Sequence, residues 1–357
     1  MKWIQRCAII VMAAMLLVAA GCSSSKPPKE VLETSMTKMS EMKSYGFTGT
    51  IGFDDVNIPA EEADALGVSM VTSILKGAKL TFEGQYEKEP YRMDLNLKLE
   101  VKGDGSTTSF EVPILMNQND LYVKIPTIPG LPIPEELTSK FIKIDLKKLA
   151  EEQGTELPFN DMDKQVKLGT DIMNTIITSF DEKDYFFEPK AEEVQGLPKD
   201  GDYDQIVQFK ITDETFAPAL ELIVNKVAPA VIDLLAKDED YLKLADITKE
   251  DLDEAKKQLA ENGPDAIKEL KKAVKINEFA ITGGVKDKYM TYQGIYANIA
   301  VKPEDSEDEV KVDMYVRSEY KDINKKQTFK HDIPTDTISM EDAMQMFGGS
   351  GDLESEF

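Results

Sequence analysis

Apolar residues recur along this chain with two different periods. Between positions 92 and 101, Met93, Leu95, Leu97, Leu99 and Val101 alternate with Asp94, Asn96, Lys98 and Glu100. Successive strand side chains point to opposite faces. The stretch therefore predicts a strand with one buried and one wet face, the habit of an antiparallel sheet. Residues 45–53 alternate large side chains with small ones and read as another strand. Residues 79–86, 108–116, 121–125 and 141–146 continue the series, with a turn at 102–106. An interrupting, partly helical segment is expected over 54–77. Strands return at 203–211, 277–282, 289–301 and 310–320.

Elsewhere the period is helical. Over 30–43, Leu32, Met36, Met39 and Lys43 fall at i, i+4, i+7 and i+11. Over 163–180, Ile172, Met173, Ile176, Ile177 and Phe180 form one stripe. Residues 215–236 are apolar almost all round: Phe216, Leu220, Ile223, Val224, Val227 and Val231 leave no wide polar face. Such a helix is predicted to be buried, and Pro229 to kink or split it. An amphipathic helix follows over 248–260, capped by Thr248. Asn262-Gly263-Pro264 then reads as a stop and restart before a helix to about 275. Strands at both ends with helices between predict an α+β fold: a curved, mostly antiparallel sheet with helices on its inner face.

The N-terminus changes the picture. Lys2 and Arg6 precede an apolar run over 7–20, too short for an ordinary membrane span. The run ends in Ala19, Ala20 and Gly21, directly before Cys22. Val18-Ala19-Ala20-Gly21-Cys22 resembles the bacterial lipobox, with Ala19 in place of the usual Leu. The resemblance implies cleavage between Gly21 and Cys22 and acylation of the Cys22 thiol. A thiolate is the nucleophile such chemistry requires, and two or more acyl chains hold a protein stably to a membrane. Residues 1–21 are then a lipoprotein signal peptide and 22–29 an acylated tether, small, polar and proline-bearing. Residues 30–347 form a single domain whose helical middle spans about 213–275, and 348–357 a disordered acidic tail. The expected location is the outer face of the plasma membrane, anchored through Cys22.

Composition narrows the chemistry. Loss of Lys2 and Arg6 takes the formal charge from −24 to −26. That excludes nucleic acid, whose phosphates need a basic footprint. Cys7 leaves with the signal, and the sole histidine is His331. Thiol catalysis and multi-histidine zinc sites are excluded. His331-Asp332 has the makings of an oriented base, but nothing like GxSxG accompanies it, and a surface histidine is the plainer reading. Asp200, Asp202 and Asp204 imitate a calcium loop. Gln205 and Ile211 stand where its glycine and glutamate belong, so a solvated turn is expected there. Residues 304–309 read as an acidic hairpin tip. The run Ile125-Pro-Thr-Ile-Pro-Gly-Leu-Pro-Ile-Pro134 reads as a loop across the mouth of the sheet, or else a lid, a membrane-touching loop or a partner-binding edge. No metal and no cofactor are expected.

Met42-Lys43-Ser44-Tyr45-Gly46-Phe47-Thr48-Gly49 resembles the start of many Gram-positive lipoproteins of unknown function. So do Asn119-Asp120-Leu121-Tyr122-Val123-Lys124, Tyr320-Lys-Asp-Ile-Asn324, Phe329 and Ile333-Pro334. That group is similar to the mycobacterial lipid-carrying lipoproteins and, more remotely, to the periplasmic lipoprotein carriers. The resemblance implies an open half-barrel enclosing helices, often around an apolar cavity. The function expected is non-enzymatic binding of an apolar ligand, possibly a lipid, beside Phe216, Leu220, Ile223, Val224, Val227 and Val231. The alternative is a non-catalytic interaction module of the envelope with a solid core; the residues name no protein partner. Cys22→Ser is expected to release the protein from the membrane fraction or leave it uncleaved. A variant that remains acylated, by mass spectrometry, contradicts the anchoring.

Overall fold

The structure, a computed structural model, describes residues 26–59, 77–103, 106–153, 162–302 and 308–347. Gly21 and Cys22, the signal stretch, most of the 54–77 segment, most of the acidic tip and the tail from 348 lie outside the described residues.

Two antiparallel meanders make one twelve-stranded sheet. The first runs through β1 (Ser44–Asn57), β2 (Ala78–Glu87), β3 (Arg92–Gly103), β4 (Ser106–Asn117), β5 (Asp120–Val123) and β6 (Phe141–Asp145). The second holds β7 (Phe186–Phe187), β8 (Gln205–Thr212), β9 (Val274–Lys286), β10 (Tyr289–Val301) and β11 (Val310–Lys321). They join where β1 pairs with β11, from Gly46 opposite Lys321 to Asn57 opposite Lys311, with a bulge near Asp55. At the far edge β12 (Thr337–Ser339) lies parallel to β6. The sheet is curved and open, as the alternating pattern led us to expect.

Alternation gives the sheet two unlike faces. Val316, Ile51, Leu80, Leu99 and Phe110 stand opposite one another in one row across β11, β1, β2, β3 and β4. Arg317, Thr50, Thr81, Lys98 and Glu111 make the neighbouring row, which points the other way. Glycines in β1 and β2 let aromatic rings lie flat on the apolar face. A Cβ on Gly49 would collide with the ring of Phe82, and one on Gly84 with that of Phe47.

On the apolar, concave side sit α1 (Pro28–Ser40) and α4 (Met162–Ser179), against the β8–β10 part of the sheet. α1 begins two residues earlier than its stripe suggests, with Pro28 in its first turn, a position that needs no backbone N–H. The main core joins Leu32 of α1, Ile177 of α4, Phe180, Val207, Phe209 and Met290. Phe180 meets Tyr185 and Phe209 edge-on at 4.9 and 5.0 Å.

The long apolar helix differs from its prediction. It comprises α6 (Asp213–Leu222), one wide π turn (Ile223–Val227) and α7 (Ala228–Ala236). Ala228 N–H bonds the carbonyl of Ile223, five residues back. Pro229 has no N–H, and its ring would strike the carbonyl four residues earlier in a regular helix; the wide turn relieves that conflict. The helix is not wholly buried either: Ile223 is 39 % exposed, and no residue of α7 is fully buried. It packs on β8 and β9 through one side and on α4 and α9 (Lys249–Ala273) through others, which leaves an outer stripe open. α9 itself passes unbroken through Asn262-Gly263-Pro264. Gly263 is buried there, and Val224 Cγ1 lies 3.0 Å from where its Cβ would be. The glycine serves close helix approach and does not end the helix.

After β11 the chain recrosses the sheet toward β12. Asp94, 2 % exposed on β3, accepts hydrogen bonds from the backbone N–H of His331 (2.7 Å) and contacts its ring Nδ1 (3.0 Å). Arg92 donates to the His331 carbonyl and lies over the Phe329 ring. The carboxylate that orients His331 is thus Asp94, not Asp332. Asp94→Ala strands buried donors, and a loss of about 1–3 kcal/mol is expected in urea unfolding.

Candidate functional site

Between α1, α4 and the concave face the side chains leave a cavity of about 260 Å³. Leu32 and Met36 of α1 and Met173, Ile176 and Ile177 of α4 form its roof. Phe209, Ile281, Met290, Ile295 and Val316 form its floor, and Gln293 and Ser318 are its only polar side chains among the described residues. The roof residues sit three and four apart on their helices, so each helix turns one stripe to the cavity. The volume is slightly below the usual range for small-molecule sites.

The cavity is not sealed. Ile295 in its floor is 40 % exposed. Val316 is the first member of the apolar row that runs on through Ile51, Leu80, Leu99 and Phe110. A second row runs from Ser318 past Gly49 to Phe82, Leu97 and Val112. These side chains are neither fully buried nor fully exposed. The cavity is therefore the deep end of a longer apolar trough.

Tyrosines border the trough. Tyr45 lies 5.0 Å from Tyr86 and 5.5 Å, edge-on, from Tyr320, while Tyr86 meets Tyr91 at 5.8 Å. Tyr320 donates to Gln293 Oε1, a cavity-lining group, at 3.3 Å. Burial raises the phenols of Tyr45 and Tyr320 above their ordinary value, and pushes that of Tyr91 up to about 12.

None of the six residues expected to line a site lines this cavity. Phe216, Val227 and Val231 belong to the core packed behind the cavity. Leu220 is buried, Val224 faces Gly263, and Ile223 looks outward. The helices that do line it carry the stripes Leu32/Met36 and Met173/Ile176/Ile177, which the sequence shows as helical periodicities without assigning them to a site. One signal marked them out: methionine at 36, 173 and 290, the flexible side chain common on adaptable binding surfaces.

The other candidates resolve into structure. Lys286 sits between Asp202 (3.1 Å) and Asp204 (2.9 Å), and no acidic, histidine or cysteine cluster among the described residues is arranged for a metal. The 125–134 loop packs Ile125 and Ile133 on Leu137, Ile142 and Ile338 at the β6–β12 edge, with Leu131 57 % exposed at its tip. Among the described residues no helix is long and apolar enough to cross a membrane.

No family model matches the chain, and no curated protein is similar to it. Among solved structures, LprF from Mycobacterium bovis aligns with 85 % of this chain and 96 % of that one, at 7 % identity and a TM-score of 0.29. A likeness of that size carries no argument about this chain's fold, residues or ligand.

The buried tyrosines supply a pH test. A phenol with a raised folded value stabilises the fold below its unfolded pKa of about 10 and ceases to as pH rises toward the folded value. Part of the tyrosine absorbance change is therefore expected only near pH 12, with stability falling from pH 10 upward. Complete titration at pH 10 in the folded protein contradicts this burial.

Proposed function

We propose that this chain is a non-enzymatic, lipid-anchored envelope protein that holds an apolar ligand, an acyl chain, on the concave face of its half-barrel. The observation that carries the reading is the cavity under α1 and α4, apolar in all but two side chains and continuous with the apolar rows of β11, β1, β2, β3 and β4. A stretch of methylenes suits such a lining: each CH₂ taken from water contributes about 0.8 kcal/mol. Gln293 and Ser318 supply polar contacts at one wall. The anchor in this proposal is Cys22, exposed by cleavage after Gly21, with 22–29 as tether and 30–347 as one domain. Of the six residues first expected at the site, Phe216, Val227 and Val231 support it from the core behind. Met36 and Met173 in the roof and Met290 in the floor let the cavity adapt to chains of different shape.

Two variants test this. Met173→Trp places a larger side chain in the cavity. It is expected to weaken binding of cis-parinaric acid at least tenfold while the protein still melts cooperatively. Leu220→Ala is expected to cost about 2–5 kcal/mol of stability and leave that binding unaltered. If Leu220→Ala changes the affinity and Met173→Trp does not, the seat moves to the α6–α7 helix. If wild-type protein neither binds the probe nor yields a lipid on extraction, the interaction module takes the place of the carrier.

A further inference from the structure

On the opposite face of the sheet, Arg317 of β11 is held in an unusual way. Its guanidinium lies 3.9 Å over the ring of Tyr315. On its other side passes Gly196, whose φ of +75° and lack of a Cβ allow it there; a side chain would collide with the guanidinium. The group is thus clamped between a ring and a backbone. Yet it makes no hydrogen bond or ion pair with any described residue. The chain's other body arginine, Arg92, donates to a carbonyl. With 66 acidic residues against 42 basic ones, this protein has carboxylates to spare, but among the described residues none forms an ion pair with Arg317. Arg317 is half-buried, and its guanidinium N–H donors reach solvent, where they are open to a partner from outside.

Beside the guanidinium is a depression of about 200 Å³. Strand register builds it: Arg317, Thr50 and Thr81 stand opposite one another across β11, β1 and β2. Thr48 and Lys79 complete the donor set, and these hydroxyls and the ammonium also lack protein partners among the described residues. Among the described residues Glu319 is the one carboxylate of the lining. Two positive charges and one negative leave a net +1, flanked by hydroxyl donors. Such a lining matches a single negative charge spread over oxygens and resists a second one.

We propose that this convex-face depression binds a phosphodiester group, with Arg317 as the bidentate donor, Lys79 as the second charge and Thr48, Thr50 and Thr81 as hydroxyl donors. The sheet separates it from the apolar trough, so it is a second site and not the headgroup end of the first. The diester's source is either a soluble molecule or a phospholipid headgroup.

The test uses the full chain and two probes: glycerophosphoglycerol in solution, and phosphatidylglycerol vesicles compared with phosphatidylcholine vesicles. Saturable binding of the soluble diester by calorimetry, at least tenfold weaker in Arg317→Gln, supports the site with a soluble source. A preference for phosphatidylglycerol vesicles that Arg317→Gln abolishes, without binding of the soluble diester, supports it with a headgroup source. Wild-type and variant share the same anchor, so anchoring cancels in that comparison. Inorganic phosphate at pH 8, a dianion, is expected to bind more weakly than the diester. Lys79→Gln and Thr50→Val are expected to weaken binding roughly three- to tenfold, and carry the test if Arg317→Gln does not fold. If no probe responds to these substitutions, the proposal is overturned. Binding of cis-parinaric acid is expected to be unaltered in Arg317→Gln, which keeps the two sites distinguishable.

Discussion

Everything else in this fold depends on the pairing of β1 with β11. Each meander is local: neighbouring strands follow one another along the chain, apart from the helices inserted between β8 and β9. The β1–β11 ladder is not local. It joins Gly46 to Lys321 and Asn57 to Lys311, and it alone makes one sheet of two. Pairings across such separations form late and slowly, because the chain between must be ordered before the contact rewards it. The same ladder aligns Val316 with Ile51 and Arg317 with Thr50. One register thus extends the apolar floor beyond the cavity and brings the convex-face donors together. A slip of one residue would exchange the two faces.

The division of labour between the faces follows from that register. The concave face is apolar over its whole width, but α1 and α4 lie on only part of it. Where they lie, side chains interdigitate into a core; at their margin, packing leaves the cavity. The convex face carries threonines, charges and the clamped Arg317. Asp94 on that face holds the returning segment at His331. Its buried carboxylate is a structural tie rather than part of a catalytic pair.

Much of the architecture was legible beforehand. Met93 to Val101 gave β3 and its faces from alternation alone, and the 163–180 stripe gave α4 nearly to the residue. The helices near prolines were less legible. Pro229 is expected to kink or split its helix, and a widened turn does divide it there; Gly263-Pro264 is expected to stop and restart a helix, whereas the helix passes through. At Gly263 a local rule met a neighbouring helix, and packing decided. The cavity lies beside Leu32, Met36, Met173, Ile176 and Ile177 and not beside Phe216 to Val231 for a similar reason. An all-round apolar helix marks surroundings on several sides, and surroundings that pack well leave no room for a ligand.

By itself, then, the sequence determined the types of the elements and which side of each is apolar, because periods of 2 and 3.6 are properties of adjacent residues. It also determined that Cys7 and Cys22 are the only cysteines and His331 the only imidazole, which are matters of inventory. Only the tertiary structure decided where a void remains, which carboxylate meets His331, and that Arg317 is clamped without a partner. Those outcomes depend on residues far apart in the chain being brought within ångströms of one another. No pattern within a window of the sequence records such a meeting, because its energy belongs to the pair and not to either segment.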